Sequence, residues 1–250
     1  MKKFLLPAPC HGPTRLTLGS ADTRYLTRVL RLREGDAVAA ADAQGGSYSM
    51  TIRRCGRDAC EVDVVPAAAD EPAAGPRVTL LQCLPKGRKI DLIVRQATET
   101  GVARIIPLVS ARTIVRPGED DGRSARLVRV AREAVQQSGV SRLPLVEEPR
   151  ELASLAAGGW GTALLFVERP DGDAEPLHSL LAHGPVEVSV LIGPEGGLTD
   201  EENALLSRAG FHRVHLETGV LRVETAATFA LGAVMTILQE RDAWRPAQDE

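Results

Sequence analysis

The residues of this 250-residue chain best suited to chemistry crowd into neighbouring stretches. The first, VLIGPEGGLTDEE, runs from Val190 to Glu202: an apolar run, then Gly193-Pro194-Glu195-Gly196-Gly197, then Thr199 opening what reads as a capped helix. Glycines between a strand and a helix let a backbone lie close against a ligand. A phosphate cradle of that kind wants exposed amides, a lysine and no carboxylate close by. Here Glu195, Asp200, Glu201 and Glu202 surround the helix start and no GK[ST] follows, so charge disfavours phosphate. The GxxGG spacing also departs from the GxGxxG dinucleotide fingerprint. A ligand with a cationic or neutral reacting part fits better. A tight turn in which glycines only relieve strain is the simpler alternative.

The second stretch, LETGVLRVETAATFAL (216–231), repeats the arrangement. A strand ends, a short loop with Gly219 follows, and Leu221-Arg222-Val223-Glu224-Thr225-Ala226 opens a helix. An arginine just before a helix is not explained by the helix dipole, which disfavours cations there. Two loops at neighbouring strand ends could form two walls of one pocket, with Arg222 as its cation.

These loops need elements to hold them. From residue 77 onward apolar strand-like runs alternate with helical ones: RVTLLQCL (77–84), KIDLIVRQATETG (89–101), ARIIPLVS (103–110), SARLVRVAREAVQQSG (124–139), TALLFVE (162–168), VEVSVLIG (186–193), TDEENALLSRAG (199–210), FHRVHL (211–216) and ETAATFALGAVMTILQE (224–240). Such alternation predicts an α/β domain with a largely parallel sheet. Ligands in such domains bind beyond the carboxyl ends of the strands, where both stretches lie. Thr199 with Glu202 predicts a capping box, and Gly210 a C-terminal stop.

Residues 1 to about 70 read differently. AVAAADAQGGSYSMTI (37–52) is two strand-like runs around the turn signal Gln44-Gly45-Gly46-Ser47, and CEVDVV (60–65) alternates as a half-buried strand should. TRYLTRVLRLREGD (23–36) has helical spacing at Leu26, Val29, Leu30 and Arg33. A small β-barrel with one short helix is expected. PAAADEPAAGP (66–76) is a linker by composition, so the boundary is placed between residues 72 and 73.

Composition is ordinary globular, 44% hydrophobic and 25% charged, with a formal net charge of −3 that gives no overall push toward nucleic acid. The cysteines at 10, 55, 60 and 83 contain no CxxC pair and read as free thiols in a reducing cytosol, with no metal site. The apolar stretch Phe4–Leu6 is far short of a signal h-region of roughly 7–15 residues. No segment approaches the ~20 apolar residues of a membrane span. A soluble, cytoplasmic protein is expected.

IGPEGGLTDEE together with VLRVETA resembles the signature of the RsmE family, the 16S ribosomal RNA (uracil-1498-N3) methyltransferases of the SPOUT superfamily. LTRVLRLREGD (26–36), QATETGVARIIPLVSART (96–113) and REAVQQSGVSRLPLV (132–146) are similar to further family stretches, so the resemblance covers the chain to about residue 240. It implies a PUA-like RNA-binding barrel over 1–72 and an S-adenosylmethionine-binding domain with a trefoil knot over 73–250. It also implies a homodimer with the active site where two knots meet. By match, Leu165, Gly193, Glu195, Gly197, Leu216, Leu221 and Arg222 would hold the cofactor. Glu217 and Gly219 stand where the family usually has glycine and arginine, and Gln96 where lysine is common.

The implied chemistry can be checked against these residues. S-adenosylmethionine is cationic at sulfur, so carboxylates near Glu195 are compatible with it where phosphate would be repelled. Uracil N3 carries a proton at neutral pH and becomes nucleophilic as that proton leaves, which calls for a base or a cation. Arg222 is the candidate cation, its forked donors reaching a uracil oxygen or a phosphate. Glu224 or Glu99 would orient it or accept the proton, unless both are structural. RNA phosphates need basic partners, with Arg24, Arg28, Arg31 and Arg33 in the first domain and Lys86, Arg88 and Arg112 in the second as candidates. A non-catalytic RNA-binding or ribosome-assembly protein on the same fold stays open, as does a nucleotide-phosphate enzyme; binding of S-adenosylmethionine separates the first reading from both.

Overall fold

The computed structural model describes residues 4–7, 10, 12–42, 46–67, 76–114, 122–140, 142–169 and 173–240. Most of the expected linker and residues 44–45 of the expected hairpin turn lie outside them. The chain forms two compact units, Met1–Ala74 with Arg132–Leu143, and Gly75–Ala131 with Pro144–Glu250. A cut at 72/73 therefore omits one feature: the end of a central helix belongs with the first unit.

In the first unit the elements are β1 (Phe4–Leu5), β2 (Thr14–Leu18), α1 (Ser20–Arg24) running on as a π-helical turn over Tyr25–Val29, β3 (Ala37–Ala41), β4 (Ser47–Cys55) and β5 (Cys60–Pro66). They form one sheet in the order β1-β3-β4-β5-β2, antiparallel except for β1 on β3. The alternation in β5 has the expected effect: Val62 and Val64 are buried with Phe4, Leu18, Leu26, Met50 and Ile52. Asp63 on the other face pairs with Arg15 at 2.8 Å and with Arg53. The helical stretch is shorter than its spacing predicts. It ends at Val29, Arg31 adopts φ +58°, and the Asp36 carboxylate accepts from the Arg33 amide at 2.7 Å, closing a turn that stops the helix. Residues 132–143 join this unit through contacts such as the Tyr25 hydroxyl donating to the Gln136 carbonyl at 3.1 Å.

Cys55 and Cys60 correct the free-thiol reading, since they form a disulfide. The Gly56–Ala59 turn sets them directly opposite each other on β4 and β5, a register that spacing alone could not reveal. Cys10 and Cys83 are free thiols, both buried.

The second unit contains β6 (Arg77–Cys83), α2 (Lys89–Glu99), β7 (Arg104–Val109), α3 (Arg123–Ser138, through Ala131), β8 (Leu145–Val146), β9 (Arg150–Glu151), a 3-10 helix over Leu152–Ala157, β10 (Thr162–Val167), α4 (Leu177–Leu181), β11 (Glu187–Ile192), α5 (Asp200–Arg208), β12 (Phe211–His215) and α6 (Val223–Glu240). All pairings in its seven-stranded sheet are parallel, in the order β12-β10-β11-β6-β7-β8 with β9 also on β7. The alternating pattern thus gives the expected parallel α/β architecture. Central β11 shows why its run is apolar throughout: Val188, Ser189, Val190, Leu191 and Ile192 are all buried, and the Ser189 hydroxyl is satisfied by the Trp160 carbonyl at 2.8 Å. The short elements β8, β9, the 3-10 turn and α4 have too few residues to show a period.

The parallel arrangement puts the carboxyl ends of β10, β11 and β12 side by side. Loops 168–169, 193–199 and 216–222 leave the sheet at that one edge.

Candidate functional site

Those loops enclose a cavity of about 860 Å³. Leu165 to Arg169 line it from the end of β10 and Ile192 to Glu195 with Gly197, Leu198, Asp200 and Asn203 from beyond β11. Arg213 lies in β12, Leu216 and 218–222 follow it, Val223, Ala226 and Phe229 stand on α6, and Lys89 opens α2. Every residue matched to a cofactor-holding position, Leu165, Gly193, Glu195, Gly197, Leu216, Leu221 and Arg222, is on this wall. The volume is within the ~300–1,000 Å³ usual for a small-molecule site.

The glycines differ in what they do. Gly197 has φ +70°, a left-handed conformation that a side chain would strain. Gly193 has no such need: a Cβ there would meet only Leu198, at 3.7 Å, while one on Gly219 would meet nothing within 4 Å. Their smallness keeps the wall open rather than relieving a turn.

The acids of the loop are used locally, which modifies the charge argument. Thr199 caps α5, its Oγ1 accepting from the Glu202 amide at 3.2 Å while Glu202 Oε2 accepts from the Thr199 amide at 2.9 Å. Glu202 Oε1 accepts from the Ala111 amide at 2.7 Å, tying this helix start to the loop after β7. Glu195 accepts from the Lys86 amide at 3.2 Å and pairs with the Lys89 ammonium at 3.0 Å. Burial alone would raise its carboxyl, but its own amide, Lys89 and the Lys86 amide outweigh that and hold it below the usual carboxylate range. Of the other acids on the wall, Glu168 pairs with Arg169 at 3.8 Å, while Asp200 makes no side-chain hydrogen bond or ion pair among the described residues.

Lys89 also reaches Glu224 Oε2 at 3.3 Å, joining the 193–197 loop to the first turn of α6. Its ammonium is raised by Glu195 first and Glu224 second. Glu224 is lowered mainly by its own amide at the helix start, against burial, with further help from Lys89 and Arg222. A carboxylate held down this way is a weak base, which disfavours proton acceptance by Glu224, and its ion-pair partner is Lys89 rather than Arg222. Neither Glu99 nor Glu224 lines the wall, but Glu224 contacts its Lys89. Glu99 is exposed at the last residue of α2, about 15 Å along the helix axis from Lys89 at the first.

Arg222 is exposed at the cavity, and its guanidinium makes no hydrogen bond or ion pair among the described residues. Of the candidate RNA-binding residues, Arg24, Arg28, Arg31 and Arg33 are exposed in the first unit. Lys86 and Arg88 are exposed between β6 and α2. Arg112 is exposed too, but its Nη1 donates to the Gly196 carbonyl and so buttresses the glycine loop. Lys89, Asn203, Arg213 and Phe229 were not anticipated as wall residues. Lys89 stood in a basic run without a distinguishing mark, and Arg213, which donates to Asn203 at 3.1 Å, sits in an ordinary strand pattern. Among the described residues no group of three or more His, Cys, Asp or Glu could hold a metal ion, and no helix is long and apolar enough to cross a membrane.

A parallel α/β unit with a cavity walled by three strand ends and a helix start is the layout of a small-molecule site. Residues 73–235 match the RNA methyltransferase domain, which sets the class. The chain is 31% identical over 227 residues to ribosomal RNA small subunit methyltransferase E of Synechocystis, spanning 90% of this chain and 74% of that one. The same protein of Mycobacterium bovis is 31% identical over 231 residues, 88% and 85% of the two chains. The crystal structure of ribosomal RNA small subunit methyltransferase E from Neisseria gonorrhoeae bound to S-adenosyl methionine superposes with a TM-score of 0.80 at 26% identity, over 95% of this chain and 98% of that one. The chain belongs to the ribosomal RNA small subunit methyltransferase E family.

Proposed function

We propose that this protein transfers a methyl group from S-adenosylmethionine to N3 of a uridine, uracil 1498, in the 16S RNA of the small ribosomal subunit. The observation that carries this reading is the joining of two family-signature loops, 193–198 and 216–223, on one cavity wall in a chain of that family. The Neisseria relative, bound to S-adenosyl methionine, supports the cofactor. In this proposal the second unit is a SPOUT domain with a trefoil knot, the first a PUA-like RNA-binding barrel, and the working form a cytoplasmic homodimer.

The residues present fit the cofactor. Leu165, Ile192, Leu216 and Leu221 offer apolar surface for a flat heterocycle, Gly193 and Gly219 leave backbone open to close approach, and Asp200 supplies a negative charge that suits a cation. S-adenosylmethionine, when bound, supplies an electrophilic methyl carbon on a positive sulfur. The protein's task is then alignment and electrostatics. Arg222, unpaired at the mouth, can put its forked donors on a uracil oxygen and stabilise the anion that forms as N3 loses its proton. Glu224, held ionised, faces Lys89 rather than that guanidinium, and the proton leaves to water at the open mouth. Arg24, Arg28, Arg31 and Arg33, with Lys86 and Arg88, meet RNA phosphates. Aromatics make up only 3% of the chain, so shape and backbone contacts outweigh base stacking.

The test is to incubate the protein and isotope-labelled S-adenosylmethionine with small subunits lacking the modification, then map the label by mass spectrometry. One methyl on N3 of that uridine is expected. A methyl on ribose or another base, or no transfer, refutes the assignment.

A further inference from the structure

We infer that Lys89 is a positioning residue: by engaging Glu224, it leaves the Arg222 guanidinium free to meet the substrate. This rests on the methyl-transfer reading above. The observation behind it is a set of four charges at the cavity: Glu195, Lys89 and Arg222 line it, and Glu224 stands next to Lys89 in the first turn of α6. Glu195 and Glu224 face the same ammonium, at 3.0 and 3.3 Å, while the guanidinium of Arg222, two residues before Glu224, makes no hydrogen bond or ion pair among the described residues. Two cations and two carboxylates balance, yet both carboxylates are taken by one cation.

The Glu224 side chain is only 17% exposed, its Oε2 is buried, and no hydrogen bond from the described residues satisfies that oxygen. The Lys89 ammonium is therefore its counter-charge. A partly buried carboxylate stripped of its counter-ion takes the next cation within reach, because an uncompensated charge away from water is costly. Here that cation is Arg222, whose field already acts on Glu224. Glu195 has no comparable need, since the Lys86 amide also serves it and Arg112 independently holds its loop through Gly196. Without Lys89 the loop thus stays built, while Arg222 turns back onto Glu224 and leaves the substrate. An ammonium suits the post well: it is a compact point charge with three donors, able to face two carboxylates at once.

Three variants separate this from a structural role: Lys89→Met, Lys89→Arg, and Lys89→Met with Glu224→Gln. The readouts are kcat for small-subunit methylation, Kd for S-adenosylmethionine by calorimetry, and the Arg222 Nε–H resonance, assigned by its loss in Arg222→Ala. For Lys89→Met, kcat should fall about 100- to 1,000-fold, as for loss of one preorganised donor, with cofactor Kd within about threefold of wild type and the Arg222 resonance shifted. Lys89→Arg should retain most of the rate. Adding Glu224→Gln to Lys89→Met should recover at least about fivefold in kcat and return the resonance, because the competing charge is gone. An unchanged kcat in Lys89→Met, or a loss that Glu224→Gln does not relieve, overturns the inference. If wild type transfers no methyl, the functional reading fails, while the resonance arm still decides whether Lys89 keeps Arg222 free.

Discussion

Gly193→Ala separates the two jobs a glycine can have. At this position φ is not in the left-handed region, and the added methyl would meet only Leu198, at 3.7 Å, an ordinary contact. The fold should therefore accept it, and a compatible Gly→Ala change stabilises by about 0.4–1 kcal/mol through the unfolded chain. At about 2–4 °C per kcal/mol for a chain of this size, the thermal midpoint should rise by about 1–4 °C. Gly193 and Leu198 both line the cavity, so the same methyl takes space a ligand would use. Overpacking a closely fitted site costs about 1–3 kcal/mol, which raises Kd about 5- to 150-fold. Calorimetric titration with S-adenosylmethionine, beside a thermal melt, reads both numbers from one preparation. A Kd within twofold of wild type in a protein with a normal melt would show that the cofactor does not approach the backbone here. A large fall in melting temperature would refute the geometry instead. Gly219→Ala is the internal control, since nothing stands within 4 Å of its new methyl and no strain arises.

Gly197→Ala, by contrast, should destabilise by about 1–2 kcal/mol because φ is +70°, measurable as a lower urea midpoint. Glu202→Ala removes the acceptor from the Thr199 and Ala111 amides and should cost about 2 kcal/mol, seen as a fall of about 4–8 °C in the melt. Cys55→Ser should cost at most about 2 kcal/mol, because the loop the disulfide closes is short; a melt with and without reductant should show the same difference in wild type and none in the variant. The charged cluster also sets a pH dependence. Glu195 and Glu224 are lowered in the folded protein, so the stability they contribute is complete above their ordinary value of 4.5 and is lost as pH falls through their folded values. Lys89 is raised, so its contribution is complete below 10.5 and is lost at still higher pH. Urea midpoints between pH 3 and 6 should therefore fall more steeply in wild type than in Glu195→Gln/Glu224→Gln.

Much of the second unit follows from one-dimensional pattern. Period-2 and period-3.6 runs alternate from Arg77 to Glu240, and a near-continuous apolar strand such as Val188–Ile192 can only be central, because hydrogen bonding and burial are demanded on both sides of it. The capping box was legible because Thr199 and Glu202 are three residues apart and satisfy each other without outside help. The two signature loops were legible as strand ends, and parallel packing brings them to one cavity.

What local pattern could not decide is which distant charges meet. Lys89 is 106 residues from Glu195 and Arg112 is 84 from Gly196, so their partners depend on the order of strands in the sheet. Glu99 looked as eligible as Glu224 until helix length placed it at the far end of α2. The Cys55–Cys60 bond hangs on β4–β5 register, and the grouping of 132–143 with the first unit on contacts such as Tyr25 with Gln136, 111 residues apart. Periodicity reports which face of an element is apolar; it carries no information about what that face, or a charge at its end, will be set against.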